Sequence, residues 1–206
     1  MNIFFCGSTG KTGSIVFNYL KEKGYVMEEV NLDTDPLSSI IKSNSIIIDF
    51  TNKNVAYDHA LICLKNNSHF ICGTTGIAKE TILSLSKEAK EKELNFIFSP
   101  NFALGIKPIS TFIESLKDDF NSSKIIESHH ISKKDLPSGT ALLLKEHLNK
   151  DTQIDSLRTT FTSLDHSIIL SNEYEEITIS HKVKNKLAYA IGVEKELIKT
   201  INKIKK

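Results

Sequence analysis

Apolar residues come first in short unbroken runs and later in alternation with polar ones, and the change divides the chain. Residues 3–6, 45–50 (around Ile46-Ile47-Ile48), 69–72 and 95–98 are such runs, each followed by Gly, Thr, Asp, Asn or Ser. Runs this short, apolar on both alternating faces, predict strands buried in a parallel sheet. Residues 25–32 predict one more strand, second in chain order. Between them the spacing turns helical. Residues 14–23 carry Ile15, Val16, Tyr19 and Leu20 on one face with Gly24 beyond the end, and 54–65 and 81–92 follow the same period. Strand and helix in alternation predict βαβ units, whose ligands sit at the loops after the strands.

After Asn101 the pattern is different. Helices are predicted over 104–116, 138–149 and 193–204, the last with Leu197, Ile198, Ile201 and Ile204 on one side. Residues 124–131 read as a strand, and 166–170 and 176–182 alternate as antiparallel strands with one wet face do. The expected fold class is α/β: a Rossmann-like parallel-sheet domain plus a smaller α+β domain with a mixed or antiparallel sheet. The expected boundaries are 1–101 with 190–206 for the first and 102–189 for the second.

Charge and cysteine usage narrow the function. The 206 residues hold 26 Lys+Arg against 25 Asp+Glu, a balance that gives no support to nucleic-acid or membrane-surface binding. No apolar stretch is long enough to cross a bilayer. Residues 1–6 run straight into a glycine motif with no basic segment or cleavage site before it. Cys6, Cys63 and Cys72 show no Cys-x-x-Cys spacing, so neither a disulfide framework nor a metal site is expected, and a cytoplasmic setting is the default.

The first loop is Gly7-Ser8-Thr9-Gly10-Lys11-Thr12-Gly13, between a predicted strand and a predicted helix. There the glycines serve a tight turn, close approach of a pyrophosphate, and helix–strand packing. The loop is not a P-loop, because that motif needs glycine where Phe5 stands. Asp33, with Asn31 as the alternative, is the candidate acid for an adenosine ribose. Lys11 is placed to meet the 2′-phosphate of NADP, but no arginine stands near Asp33, so the choice between NADH and NADPH is not written in the sequence.

The densest chemistry lies between Glu127 and Ala141. His129, His130, Lys133 and Lys134 precede the predicted helix start Ser138-Gly139-Thr140. Histidine moves protons near neutral pH, lysine holds or protonates an anion, and backbone amides at a helix start favour carboxylate or phosphate. Alternate residues of a strand face opposite sides, so His129 and His130 cannot share one face. His166 and His181 are able to reach such a site, although packing roles suit them equally; His59, His69 and His147 read as structural.

Taken together, Gly7 to Gly13, Asp49-Phe50-Thr51, Gly73-Thr74-Thr75-Gly76, Asn101-Phe102 with Gly105, and Glu127 to Ala141 resemble the blocks of the 4-hydroxy-tetrahydrodipicolinate reductases, formerly called dihydrodipicolinate reductases. The last block is similar to that family's E-x-H-H-x-x-K-x-D-x-P-S-G-T-A signature. The resemblance implies NADH- or NADPH-dependent reduction of a small dicarboxylate in the diaminopimelate route to lysine, by a cytoplasmic homotetramer built through the sheets of the smaller domain. It implies His129 as proton donor or acceptor and Lys133 as proton donor. It implies His130, Gly139 and Thr140 as carboxylate-binding, and residues 7–12 (Gly7, Ser8, Thr9, Gly10, Lys11, Thr12) as the pyrophosphate loop. Gly73, Thr74 and Thr75 with Pro100, Asn101, Phe102 and Ala103 would meet the nicotinamide end. Two departures stand out: the loop from Arg158 to Asp165 has no glycine, and Lys186 replaces the family's common arginine. Two other readings stay open. One is another two-domain reductase such as a semialdehyde dehydrogenase, with Cys72 as the nearest thiol. The other is a catalytically silent dinucleotide-binding relative.

Overall fold

The computed structural model describes residues 1–30, 36–160 and 164–205. Its elements are β1 Ile3–Cys6, α1 Gly13–Glu22, β2 Glu28–Val30, α2 Leu37–Ile40, β3 Ile46–Asp49, α3 Lys53–Lys65, β4 His69–Cys72, α4 Lys79–Glu91, β5 Phe96–Phe98, α5 Ile106–Leu116, β6 Ser122–His130, α6 Gly139–Lys145, β7 Gln153–Thr159, β8 Leu164–Ser171, β9 Glu176–Lys182 and α7 Leu187–Ile204. They form two compact units, Met1–Phe102 with Tyr189–Lys206, and Ala103–Ala188.

The first unit holds a five-stranded sheet, β2-β1-β3-β4-β5, parallel throughout. Successive strand residues point to opposite faces, and both faces are covered. Phe4, Cys6, Ile47, Phe70 and Cys72 pack with Ala56, Ala60, Cys63 and Leu85 of α3 and α4. Phe5, Ile46, Ile48 and Ile71 pack with Val16 and Leu20 of α1 and Val193 and Leu197 of α7. Ile46, Ile47 and Ile48 are wholly buried, each worth about 1.5–3 kcal/mol by removal from water. This two-sided burial is why the strands read as unbroken apolar runs. Asn52 caps α3 by accepting from the amides of Asn54 (3.1 Å) and Val55 (3.3 Å). The order of strands reverses between β1 and β3, so the loops after these two meet at the carboxyl edge, where open α/β sheets bind ligands.

In the second unit four strands run in the order β7-β6-β8-β9. β6 pairs with β8 and β8 with β9 antiparallel, whereas β6 and β7 run parallel. One face packs Ile125, Ile168 and Leu170 with Ile113 of α5 and Ala141 and Leu144 of α6. The other carries Ile126 and Ile169, half-buried, and Leu157, exposed.

Four elements depart from the sequence reading, the one-turn α2 (Leu37–Ile40) among them. β7 was not expected. Asp155, Ser156 and Arg158 break its apolar pattern because it is an edge strand, and it makes Arg158 part of a strand rather than of a loop. α6 stops at Lys145, because the next hydrogen bonds tighten to i→i+3 (His147 to Leu144, Leu148 to Lys145). α7 begins earlier than predicted, where Asn185 Oδ1 accepts from the amide of Leu187 at 2.9 Å. Among the described residues no helix is long and apolar enough to cross a membrane.

Candidate active site

In the first unit, the glycine loop is shaped by close backbone approach. Gly7 has φ +86°, and a Cβ there would lie 2.5 Å from the Phe50 carbonyl oxygen. A Cβ on Gly13 would lie 2.0 Å from the Gly7 oxygen. Both positions therefore demand glycine. Thr12 stands at the start of α1, and no side chain caps it. The Ser14 amide is taken by the Gly10 carbonyl at 2.9 Å, and a helix start that no side chain caps fits a dinucleotide pyrophosphate. Ser8 donates its hydroxyl to the Glu29 carboxylate, while Thr9, Gly10 and Lys11 are exposed. Asp33 and Asn31 lie outside the described residues.

Behind the loop, Asp49 at the end of β3 is a buried hub. Its Oδ1 accepts from the Thr51 amide (3.0 Å), the Thr51 hydroxyl (2.8 Å) and the Thr74 hydroxyl (2.9 Å), and Oδ2 meets His59 Nδ1 at 2.7 Å. It thereby ties Gly73-Thr74-Thr75 to the Asp-Phe-Thr turn. The Phe50 ring fills the place where a Gly73 side chain would be. Asn101, Phe102 and Ala103 are buried, and the Phe102 carbonyl lies against Gly192 of α7, where a Cβ would come within 1.6 Å. Asp49→Ala is expected to destabilise the protein by about 3 kcal/mol through the stranded donors, and to raise KM for the cofactor more than for the second substrate. Urea unfolding and steady-state kinetics check both.

The second unit gathers the other candidates. Glu127 and His129 stand two apart on β6 and so share a face, and the sheet register sets Ser156 and His166 beside Glu127 and Arg158 beside His129. Glu127 is completely buried; its Oε1 accepts from Arg158 Nη1 (3.0 Å) and from the Ser138 amide (3.3 Å), and its Oε2 contacts His129 Nδ1. Burial pushes the Glu127 carboxyl up, but Ser156, His129 and Arg158 together bring it below the ordinary value. Burial holds the His129 imidazole below its ordinary value; Glu127 opposes this, and Lys133 and Arg158 reinforce it.

Arg158 also donates to the carbonyls of Lys133 (3.3 Å) and Asp135 (2.5 Å), pinning the turn on which Lys133 Nζ meets Asp135 Oδ2 at 2.7 Å. His130 points to the opposite face, as strand alternation requires. Its Nδ1 accepts from the Ser132 amide at 3.1 Å, so Nε2 carries the hydrogen and is the donor available to an anion. Ser138 caps α6 by accepting from the Ala141 amide (3.2 Å), and Gly139 and Thr140 form its first turn.

His166 faces the same interior. Ser138 Oγ lies 3.2 Å from its Nε2, and its ring meets that of His129 edge to face at 5.3 Å between centroids. Burial, then His129, lowers its pKa from 6.5 to about 4. The folded value lies below the unfolded one, so the unfolded chain binds more protons in that interval, and stability is lost as pH falls from about 6.5 towards 4. The loss is on the order of 3 kcal/mol, and His166→Asn is expected to flatten it in denaturant titrations taken across that range.

The fold also brings together two trios that sequence spacing did not suggest, Cys6–Asp49–His59 and Glu127–His129–His166, with possible ligand atoms within 4.8 Å of one another. The hydrogen bonds to Asp49 and the guanidinium beside Glu127 use these carboxylates within the protein, which disfavours a divalent ion at either. In the sequence alone Glu127 and Arg158 carry no role; the i, i+2 spacing of Glu127 and His129 is the signal that points to the first. Of the departures, Arg158 belongs to this network, Lys186 is exposed, and residues 161–163 lie outside the described part.

Sequence models of the dihydrodipicolinate reductase N-terminus and C-terminus match residues 1–102 and 104–206. The chain belongs to the dihydrodipicolinate reductase family. It is thus an oxidoreductase of the diaminopimelate route to lysine that uses NADH or NADPH. A 4-hydroxy-tetrahydrodipicolinate reductase from Thermosipho africanus is 32% identical over 201 residues, covering 96% of this chain and 90% of its own length. A dipicolinate-bound dihydrodipicolinate reductase from Paenisporosarcina sp. TG-14 shares the fold with a TM-score of 0.74 at 22% identity, over 98% of this chain and 95% of that one. An aspartate semialdehyde dehydrogenase II from Vibrio cholerae shares it more loosely, with a TM-score of 0.58 at 10% identity over 96% and 98%. The thiol that a semialdehyde dehydrogenase would require is not available at Cys72, which is fully buried and pushed up to about 12, first by burial and then by Asp49.

Proposed function

We propose that this chain reduces its unsaturated ring dicarboxylate through the Glu127–Ala141 segment, with His129 as proton donor or acceptor and Lys133 as proton donor. His130, Gly139 and Thr140 hold the substrate carboxylates. Residues 7–12, Asp33, Gly73 to Thr75 and Pro100 to Ala103 hold the cofactor, within a first domain of residues 1–101 and 190–206. When bound, NADH or NADPH supplies the hydride. Addition at one carbon of the conjugated system leaves an electron pair at its neighbour, and His129 or Lys133 quenches it with a proton. The Lys133 ammonium, the His130 Nε2–H and the amides opening α6 favour the negative charge of the ring carboxylates.

The observation that carries this reading is the single buried network in which Glu127 meets His129 through one oxygen and Ser138 and Arg158 through the other. Dipicolinate, a flat aromatic dicarboxylate, is expected to inhibit competitively against the dicarboxylate substrate. Thr140→Val and His130→Phe should each weaken its binding about tenfold, the equivalent of one charge-assisted hydrogen bond. Calorimetric titration showing unchanged affinity in both variants would remove the carboxylate roles.

The open face of the second sheet, with Leu157 exposed and Ile126 and Ile169 half-buried, supports assembly through that face. Residues 102–189 are accordingly read as the substrate-binding and oligomerisation domain of a cytoplasmic homotetramer. Light scattering measures the assembly directly.

A further inference from the structure

We propose that Glu127 is a positioning residue that keeps the hydrogen of the neutral His129 ring on Nδ1, leaves Nε2 as the working nitrogen, and fixes the ring to the start of α6 through the same carboxylate. The inference rests on the reading of His129 as a proton carrier.

An ionised carboxylate only accepts hydrogen bonds. Glu127 Oε2 is buried in contact with His129 Nδ1; a bare nitrogen lone pair there would be repelled by the carboxylate, so the charge favours the neutral ring's single hydrogen on Nδ1. The carboxylate cannot turn away, because Arg158 Nη1 and the Ser138 amide hold Oε1. The charged and titratable groups facing His129 are Glu127 on its own strand, Arg158 on β7, His166 on β8 and Lys133 in the turn after β6; α6 contributes Ser138, which is uncharged. Glu127 is the anion among them, and so the group that sets the hydrogen's place. The arrangement divides labour as the buried aspartate behind a serine-protease histidine does, where the carboxylate selects the tautomer and orients the ring without itself taking the proton.

Glu127→Gln tests this sharply. The donors Arg158 and Ser138 retain the amide oxygen, so the amide NH₂ faces His129 and forces Nδ1 to accept. Histidine ¹⁵N resonances should show the Nδ1–H tautomer for neutral His129 in the native protein and the Nε2–H tautomer in the variant. The same change should lower kcat by about 10²–10⁴-fold, in line with tautomer reversal in a protease triad, with KM for the dicarboxylate moving by less than about threefold.

Native His129 carrying its hydrogen on Nε2, or a folded Glu127→Gln enzyme of near-native kcat, would overturn the proposal. If the variant fails to fold, the resonances of the native protein decide alone. They also decide if His129→Gln proves fully active, an outcome that would end the proton-carrier reading but leave the tautomer measurement intact.

Discussion

His129→Gln is expected to lower kcat by about 10²–10⁴-fold, the usual worth of a positioned general acid or base, and Lys133→Ala to lower kcat/KM by a comparable factor. The two should differ in how the loss divides. His129 is buried and held by Glu127, so glutamine removes proton transfer and leaves most substrate contacts, and kcat bears the loss. Lys133 is partly exposed and its ammonium meets Asp135. Truncation removes a cation that favours the carboxylates as well as a proton source, so KM should rise too. The turn itself should survive, because Arg158 holds it through the carbonyls of Lys133 and Asp135 and not through the lysine side chain. Stopped-flow and steady-state kinetics with enzymatically generated substrate measure both quantities. Near-native kcat/KM in both variants would move the chemistry away from this segment.

Arg158→Met should give the largest loss of stability, about 3–5 kcal/mol, because it strands a buried carboxylate. The Arg158 side chain is 15% exposed and Glu127 0%, so little water reaches the pair to soften the change. Arg158→Lys keeps the charge but not the planar fork that reaches Glu127, Lys133 and Asp135 together, and should fall between the native protein and the methionine variant. The double variant Glu127→Leu, Arg158→Met removes both charges and should be more stable than Arg158→Met alone, though inactive. Urea titration of the four proteins gives the comparison; a single variant within about 0.5 kcal/mol of native would place this pair among those worth no more than an exposed salt bridge.

The sequence made the first sheet plain because burial on both faces writes strands as continuous apolar runs: Ile46 to Ile48 need no partner to be recognised. The second unit was harder. β7 carries Asp155, Ser156 and Arg158 in a short edge strand, and only its pairing with β6 reveals Ser156 and Arg158 as one side of the site. The residues of the signature segment were visible, and their opposite faces followed from strand geometry. Which atoms they engage was not visible, since Glu127 draws its partners from β7, the start of α6 and its own strand. Likewise Asp49 and His59 meet because α3 folds back over the sheet, a contact that linear spacing does not record.

Turnover is the most direct measurement of the proposed reduction. With a dihydrodipicolinate synthase feeding substrate continuously, the protein should consume NADH or NADPH, and consumption should stop when the synthase is left out. Oxidation that continues without the dicarboxylate, or none with either cofactor from a folded protein, would contradict it.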